Sequence, residues 1–337
     1  MSTIRLGIVG LGRLGYQHAQ NIAGRTPGVE LAAFCSILAD ELARARQDFP
    51  AARAYTNYAE MLQDKNLDAI FIASPSGLHC QHIEAALTAG YHVFSEKPLG
   101  VNVQECEHIE QVVARHPQQV FMLGFMRRYD DSYAYAKKLL DEDRIGKPFM
   151  VRSTSLDPEA AIAGAIRFAP TSGGIYLDMA VHDIDLSNWF LGSQPHSVYA
   201  LGGAFVHREF ADFNDCDNAT MVLQYRNGSI AMLYAGRTAA HGYHIETEVI
   251  GSKGSLRIGS IPQKNLVQIF DPSGVVQECV EGFLARFEHA YLNELYEFVS
   301  CIRERRQPAV KVQDGTLATR IAFAATESYR QNQIVRF

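Results

Sequence analysis

Asp178 and His182 stand four residues apart in the segment Asp178-Met-Ala-Val-His182-Asp183-Ile-Asp-Leu-Ser-Asn. If this segment is helical, both side chains share one face. A carboxylate placed there can orient an imidazole and stabilise its protonated form, which is what a general base requires. Oxidation of an alcohol needs such a base, because the hydroxyl proton must leave as the hydride departs. Two plainer readings compete. One is a helix-face ion pair, worth roughly 0.2–0.5 kcal/mol. The other is a metal site using Asp178, His182 and Asp183. On a helix Asp183 points away from its neighbour His182, which weakens the metal reading.

Lys97 follows an apolar run, Tyr91 to Phe94, in the triplet Glu96-Lys97-Pro98. If the run is a strand of a parallel sheet, Lys97 lies at its carboxyl end, where ligands bind in such sheets. Pro98 biases its backbone away from helix. An ammonium there can bond a substrate hydroxyl and stabilise developing alkoxide charge. A solvated surface lysine is the commoner fate of this residue type, but few such lysines sit between Glu and Pro at a strand end.

Gly10-Leu-Gly12-Arg-Leu-Gly15 matches Gly-x-Gly-x-x-Gly. The pattern is weak by itself and gains meaning between a strand and a helix. Gly10 permits the tight turn, Gly12 lets backbone approach a pyrophosphate, and Gly15 allows close helix–strand packing. Free N–H groups at the helix start would face the phosphates. The position that reads the adenine ribose should end the second strand, where an Asp or Glu marks NAD. Here it is Ser36. A serine can bond a ribose hydroxyl without repelling a 2′-phosphate, yet no arginine follows it to bind one. Asp40 is the nearest acid and Arg13 the nearest base in the glycine turn. NAD is expected, with NADP left open.

The elements that must position these groups read in two styles. The first third alternates short apolar runs with helical patterns. Strands are expected at Ile4–Val9, Glu30–Cys35, Ala69–Ala73, Tyr91–Phe94 and Val120–Gly124. Such alternation implies a parallel sheet covered on both faces. From Phe149 onward come longer alternating segments, at 149–155, 196–201, 218–225, 229–235, 246–251, 255–258 and 267–270. Gly/Asn turns punctuate them, including an Asn-Gly hairpin signal at Arg226-Asn-Gly-Ser229. This sheet should be mostly antiparallel. Helices at 286–303 and 314–331 close the chain. Two domains are expected, residues 1–124 and 125–337.

Composition bounds the function class. The 337 residues are 47% apolar and 20% charged, enough for an ordinary core. A net charge of −6 without a basic stripe argues against nucleic acid and anionic membranes as partners. No secretory leader or membrane span is expected. The six cysteines are scattered without a Cys-x-x-Cys pair, which suggests reduced thiols in a cytoplasmic protein.

Taken together, several motifs resemble the glucose–fructose oxidoreductase / inositol dehydrogenase (Gfo/Idh/MocA) family. They are the glycine turn, Ser74-Pro75 with His79 beyond it, Glu96-Lys97-Pro98, Gly124-Phe-Met-Arg-Arg-Tyr-Asp130, and Gly173-Gly174-x-x-x-Asp178-x-x-x-His182-Asp183. The fourth resembles the inositol dehydrogenase branch in particular. The resemblance implies an α/β plus α+β fold: an N-terminal Rossmann domain joined to an open-faced, mostly antiparallel sheet, with the site at the cleft between them and homo-oligomers built on the exposed sheet face. It implies cofactor contacts at Gly10, Gly12, Arg13, Leu14, Gly15, Ser36, Ser74, Pro75, His79, Glu96 and Lys97. It implies substrate contacts at Lys97, Arg127, Asp157, Asp178 and His182, with His182 as base and Lys97 and Asp178 as its catalytic partners. Asp157 has an equal claim to be a plain Asp-Pro turn. One of Arg127 and Arg128 is expected to be structural. Tyr234, Arg237 and His241 are further polar candidates.

The implied reaction is NAD(P)-dependent oxidation of a ring hydroxyl of a cyclic polyol such as inositol. Other sugars or a keto-inositol, a glycosidase using transient oxidation, and a non-catalytic dinucleotide sensor are the alternatives.

Overall fold

The structure, a computed structural model, describes residues 3–272 and 274–337. In chain order the elements begin β1 (Ile4–Val9), α1 (Arg13–Gly24), β2 (Val29–Cys35), α2 (Ala39–Asp48), β3 (Arg53–Tyr55), α3 (Tyr58–Met61), β4 (Ala69–Ile72), α4 (His79–Thr88), β5 (His92–Glu96), α5 (Val103–Arg115) and β6 (Phe121–Gly124). There follow α6 (Asp131–Asp141), β7 (Pro148–Pro158), α7 (Ile162–Ser172), α8 (Ile175–Asp178), α9 (Val181–Leu191), β8 (Pro195–Gly203), β9 (Asn218–Tyr225), β10 (Ile230–Ala239), β11 (His244–Gly251) and β12 (Gly254–Ile258). The chain ends with β13 (Ile269–Asp271), β14 (Gly274–Val276), α10 (Phe283–Arg286), α11 (Glu288–Glu304), α12 (Val312–Gln331) and β15 (Val335–Arg336).

The residues divide into two compact units. The first holds residues 1–129 and 289–319; the second holds 130–288 and 320–337. The return of residues 289–319 to the first unit was not anticipated. Its cause is packing: Leu295, Phe298, Val299 and Cys301 of α11 join the core built by Ile4, Leu6, Ile8, Phe71 and Phe94. An apolar helical stripe tells that a helix is buried but not against which sheet.

In the first unit six parallel strands lie in the order β3-β2-β1-β4-β5-β6. All four residues of β4 are buried, as expected where helices cover both sheet faces. The order reverses between β1 and β4, and in open α/β sheets the ligand crevice lies at the carboxyl ends of the strands flanking that point. Five strands were expected from sequence; the sixth, β3, is three residues long with none buried, too short for an apolar run.

The second unit carries a seven-stranded sheet, β12-β11-β7-β10-β9-β8-β15. Only β7 and β10 run parallel; the other neighbours are antiparallel. The Asn-Gly hairpin forms as read, with Ile230 opposite Gln224 and Gly228 at φ +85°. One face of β8–β10 leaves Leu201, Val222, Met232 and Tyr234 exposed. Helix α7 had no clear sequence signal, because Gly164 and Pro170 both lower helix propensity. Among the described residues no helix is long and apolar enough to cross a membrane.

Candidate active site

At the end of β1 the chain turns through Gly10, whose φ is +90°. A Cβ there would meet the Ala73 carbonyl oxygen at 2.4 Å and Ser74 N at 2.6 Å. The glycine turn is thus pressed against the end of β4, at the point where strand order reverses. A Cβ on Gly15 would lie 2.1 Å from the Gly10 carbonyl oxygen, so α1 packs too closely for any side chain. Gly12 is the opposite case: a Cβ would meet nothing within 4 Å. Gly12 is also the N-cap of α1 and provides no side-chain cap. The first-turn N–H groups of Leu14 and Gly15 lie at the helix start, where the helix itself leaves N–H groups for other acceptors. Open space, uncapped donors and the positive end of a twelve-residue helix fit a dinucleotide pyrophosphate.

Ser36 follows the last residue of β2 and is buried. Its hydroxyl donates to Glu41 Oε2 at 2.5 Å and accepts from Leu38 N at 3.1 Å. Glu41, in the first turn of α2, was missed by the sequence reading, which named Asp40. A side chain five residues on is brought back by the turn between β2 and α2, and spacing alone does not reveal that.

Lys97, the residue after β5, is half-buried. The residues around it are tethered. His79 is buried, with Nδ1 2.7 Å from the Pro98 carbonyl oxygen and Nε2 2.8 Å from the Ser74 carbonyl oxygen. Burial drives this ring towards its neutral form, while the two carbonyls pull the other way. His79 therefore ties the Ser74-Pro75 turn to the Lys97-Pro98 segment and has no ring nitrogen to offer a dinucleotide. Both ring nitrogens thus face backbone carbonyls. Pro75 is exposed at the turn itself, and Ser74 Oγ lies 3.0 Å from His82 Nδ1.

Glu96 precedes Lys97 at the end of β5. Its carboxylate is buried, 2.7 Å from His18 Nε2 on α1. Glu294 of α11 joins this pair: ligand-type atoms of His18, Glu96 and Glu294 lie within 4.8 Å of one another, all three residues buried. Neither carboxylate oxygen of Glu294 has a hydrogen-bond partner among the described residues. Burial first, and the charge of Glu96 second, push the Glu294 carboxyl well above the usual carboxylate range. A raised folded-state pKa gives stability that is complete below the unfolded value and is lost as pH rises through the folded one. Glu294→Gln removes that loss, keeping a neutral side chain of the same shape. The variant is expected to gain on the wild type as pH rises from about 5 to 8, by up to about 1.4 kcal/mol per pH unit. Urea midpoints at the two ends of that range check it; a pH-independent difference would refute it.

In the second unit, Gly173 and Gly174, at φ +78° and +87°, end α7 and start α8. Asp215 Oδ1 accepts from Ile175 N at 2.8 Å and so holds the start of α8. Asp178 ends that short helix and accepts from Arg237 Nη2 at 3.2 Å. Arg237 is almost fully buried, and its guanidinium also lies 3.6 Å from Asp215. Burial pushes the Asp215 carboxyl up and Arg237 pulls it back. Asp178 and His182 lie on two helices: Met179 and Ala180 separate α8 from α9. Both interrupting residues keep right-handed backbone, at φ −103° and −70°.

His182, the second residue of α9, is 7% exposed. Its neighbour Asp183 turns to the sheet and accepts from Ser153 Oγ and Ser155 Oγ, each at 2.6 Å. Thr247 and Tyr133 extend this network, at 3.0 Å and 2.9 Å. Asp183 thus clamps α9 to β7 and points away from any shared site with His182. The sequence did carry a signal for this: serines two apart on a strand share one face. Asp157 lies at the end of β7, half-buried. In the first unit Arg127 is 3% exposed, while Arg128 lies 3.4 Å from Asp314. Tyr234 bonds Asn218 at 2.8 Å and His241 pairs with His244 at 3.1 Å.

Comparison with known proteins agrees with this architecture over the whole chain. Residues 4–125 match the model of an oxidoreductase family with an NAD-binding Rossmann fold. Residues 133–257 match the GFO/IDH/MocA C-terminal domain. A scyllo-inositol dehydrogenase from Lactobacillus casei, solved with bound cofactor NAD(H) and scyllo-inositol, is 42% identical, with TM-score 0.96 over 99% of each chain. A myo-inositol 2-dehydrogenase structure from Lactobacillus plantarum is 40% identical, with TM-score 0.97 over 100% of each. The scyllo-inositol 2-dehydrogenase (NAD(+)) of Bacillus subtilis is 32% identical over 99% of this chain and 96% of its own. Two matched domains and full-length similarity at these identities make the chain a member of the Gfo/Idh/MocA oxidoreductase family.

Proposed function

We propose that this oxidoreductase is an NAD-dependent inositol dehydrogenase, oxidising one ring hydroxyl of the cyclitol to a ketone. The observation that carries the reading is the 42% full-length identity to a dehydrogenase that holds both NAD(H) and scyllo-inositol. The glycine cradle at Gly10, Gly12 and Gly15 supports the cofactor half. NAD, when bound, supplies the hydride acceptor.

The chain's own groups do the rest. His182 Nε2 or Nδ1 takes the hydroxyl proton. Lys97 Nζ donates to the same oxygen and lowers the energy of the charge that develops on it. Asp178, held by Arg237, and Asp157 and Arg127 bond neighbouring ring hydroxyls. Gly10–Gly15 and Ser36 hold the dinucleotide, with Ser74 and Pro75 at its side.

The test is a panel of inositol isomers and common sugars, each with NAD and NADP, read as reduced-nicotinamide absorbance. Turnover of an inositol with NAD is expected. Turnover of sugars alone, or release of free sugar from a glycoside with no net reduced cofactor, would move the protein to another branch of the family.

We also propose a cytoplasmic homo-oligomer. The six cysteines are free thiols, as a reducing compartment favours. The exposed Leu201, Val222, Met232 and Tyr234 form an apolar patch on a sheet face, of the kind that marks an association surface. A monomeric mass by sedimentation would end the oligomer proposal.

A further inference from the structure

We propose that Glu41, acting with Ser36, is the residue that selects NAD over NADP. This rests on the reading of the first unit as a dinucleotide site. The position after β2 is where an acid would meet the adenine ribose, and this chain has Ser36 there. A hydroxyl has one proton and two acceptor lone pairs. The Ser36 proton is given to Glu41 and one lone pair takes the Leu38 N–H. What remains is an acceptor, backed by a carboxylate.

A ribose 2′-hydroxyl is a donor and satisfies that acceptor. A 2′-phosphate is an acceptor with up to two negative charges. It would face a serine whose proton is already committed and a glutamate behind it. The pair therefore reproduces, with two side chains, the donor–acceptor preference of a single strand-end acid. Beside it Ile37 and Leu38 are 86% and 55% exposed, an apolar step next to the polar pair of the kind a flat adenine ring can cover.

An acid in the first turn of α2 also suits the helix dipole whether or not a nucleotide binds. Asp40 separates the two roles. It is exposed, sits in the same turn and carries the same charge, but Ser36 bonds Glu41. The experiment is calorimetric titration of NAD+ and NADP+ into wild type, Glu41→Gln, Glu41→Ala and Asp40→Asn, with no inositol present.

Wild type should bind NAD+ more tightly than NADP+ by at least about tenfold. Both Glu41 variants should shrink that ratio by about tenfold, mainly through tighter NADP+, from the removal of one charge near a dianion. Asp40→Asn should shrink it by less than about threefold, being more exposed to screening. Unchanged ratios in both Glu41 variants, or equal effects at positions 40 and 41, overturn the assignment to Glu41. Wild type binding neither dinucleotide overturns the dinucleotide reading itself.

Discussion

Replacing His182 by alanine is expected to lower kcat by roughly 10²–10⁴, the range of a lost general base, while NAD affinity stays within about threefold. The expectation is sharp because the neighbourhood of His182 is held by other groups. Asp183 fixes α9 to β7 through the two serine hydroxyls at 2.6 Å. Val181, Ile184 and Leu186 bury the rest of the helix. Alanine at 182 leaves all of these bonds in place and favours helix, and a melting curve of the variant separates a loss of chemistry from a loss of folding. The kinetic signature matters as much as the size. A base acts in the transition state, so kcat and kcat/KM should fall together. A variant with near-normal kcat would remove His182 from the role, whatever its KM.

What could be read in the sequence follows from how local each feature is. The glycine turn, the β5 end with Lys97 and the Asn-Gly hairpin are set by residues a few positions apart, and each appears where its pattern predicts. The class of each sheet was also legible, because continuous apolar runs and alternating ones differ within five residues. Illegible features depend on pairs distant in sequence. Glu294 reaches Glu96 from 198 positions later, and nothing in either segment announces the other. Residues 289–319 join the first unit for the same reason. His79 and Glu96 illustrate a third case. Both belong to recognisable motifs, and both motifs lie at the expected strand ends. Yet the His79 ring bonds two backbone carbonyl oxygens and the Glu96 carboxylate bonds the side chain of His18. A motif marks where a site is built; which member faces the ligand is decided by packing. The break between α8 and α9 belongs here too. Asp178 and His182 have helical spacing, but the Arg237–Asp215 pair below Asp178 fixes it from outside the helix.

Lys97→Ala is expected to lose roughly 10²–10³ in kcat, the cost of deleting one preorganised donor to developing oxyanion charge, with NAD affinity changed by less than about threefold. Lys97 hangs from a segment secured on both sides. Glu96 is bonded to His18 at 2.7 Å before it, and the Pro98 carbonyl oxygen is bonded to His79 at 2.7 Å after it. Neither bond involves the lysine side chain, so its removal leaves both tethers of the strand end in place. The remaining loss then measures the ammonium itself. Binding and catalysis are separated by titrating NAD into the variant without inositol and by measuring turnover at saturating concentrations of both. A lysine that serves catalysis loses kcat and keeps the NAD titration curve. A lysine that serves only to bind the dinucleotide weakens NAD and recovers full kcat at saturation, and that result would leave the developing charge on the substrate oxygen without its proposed donor.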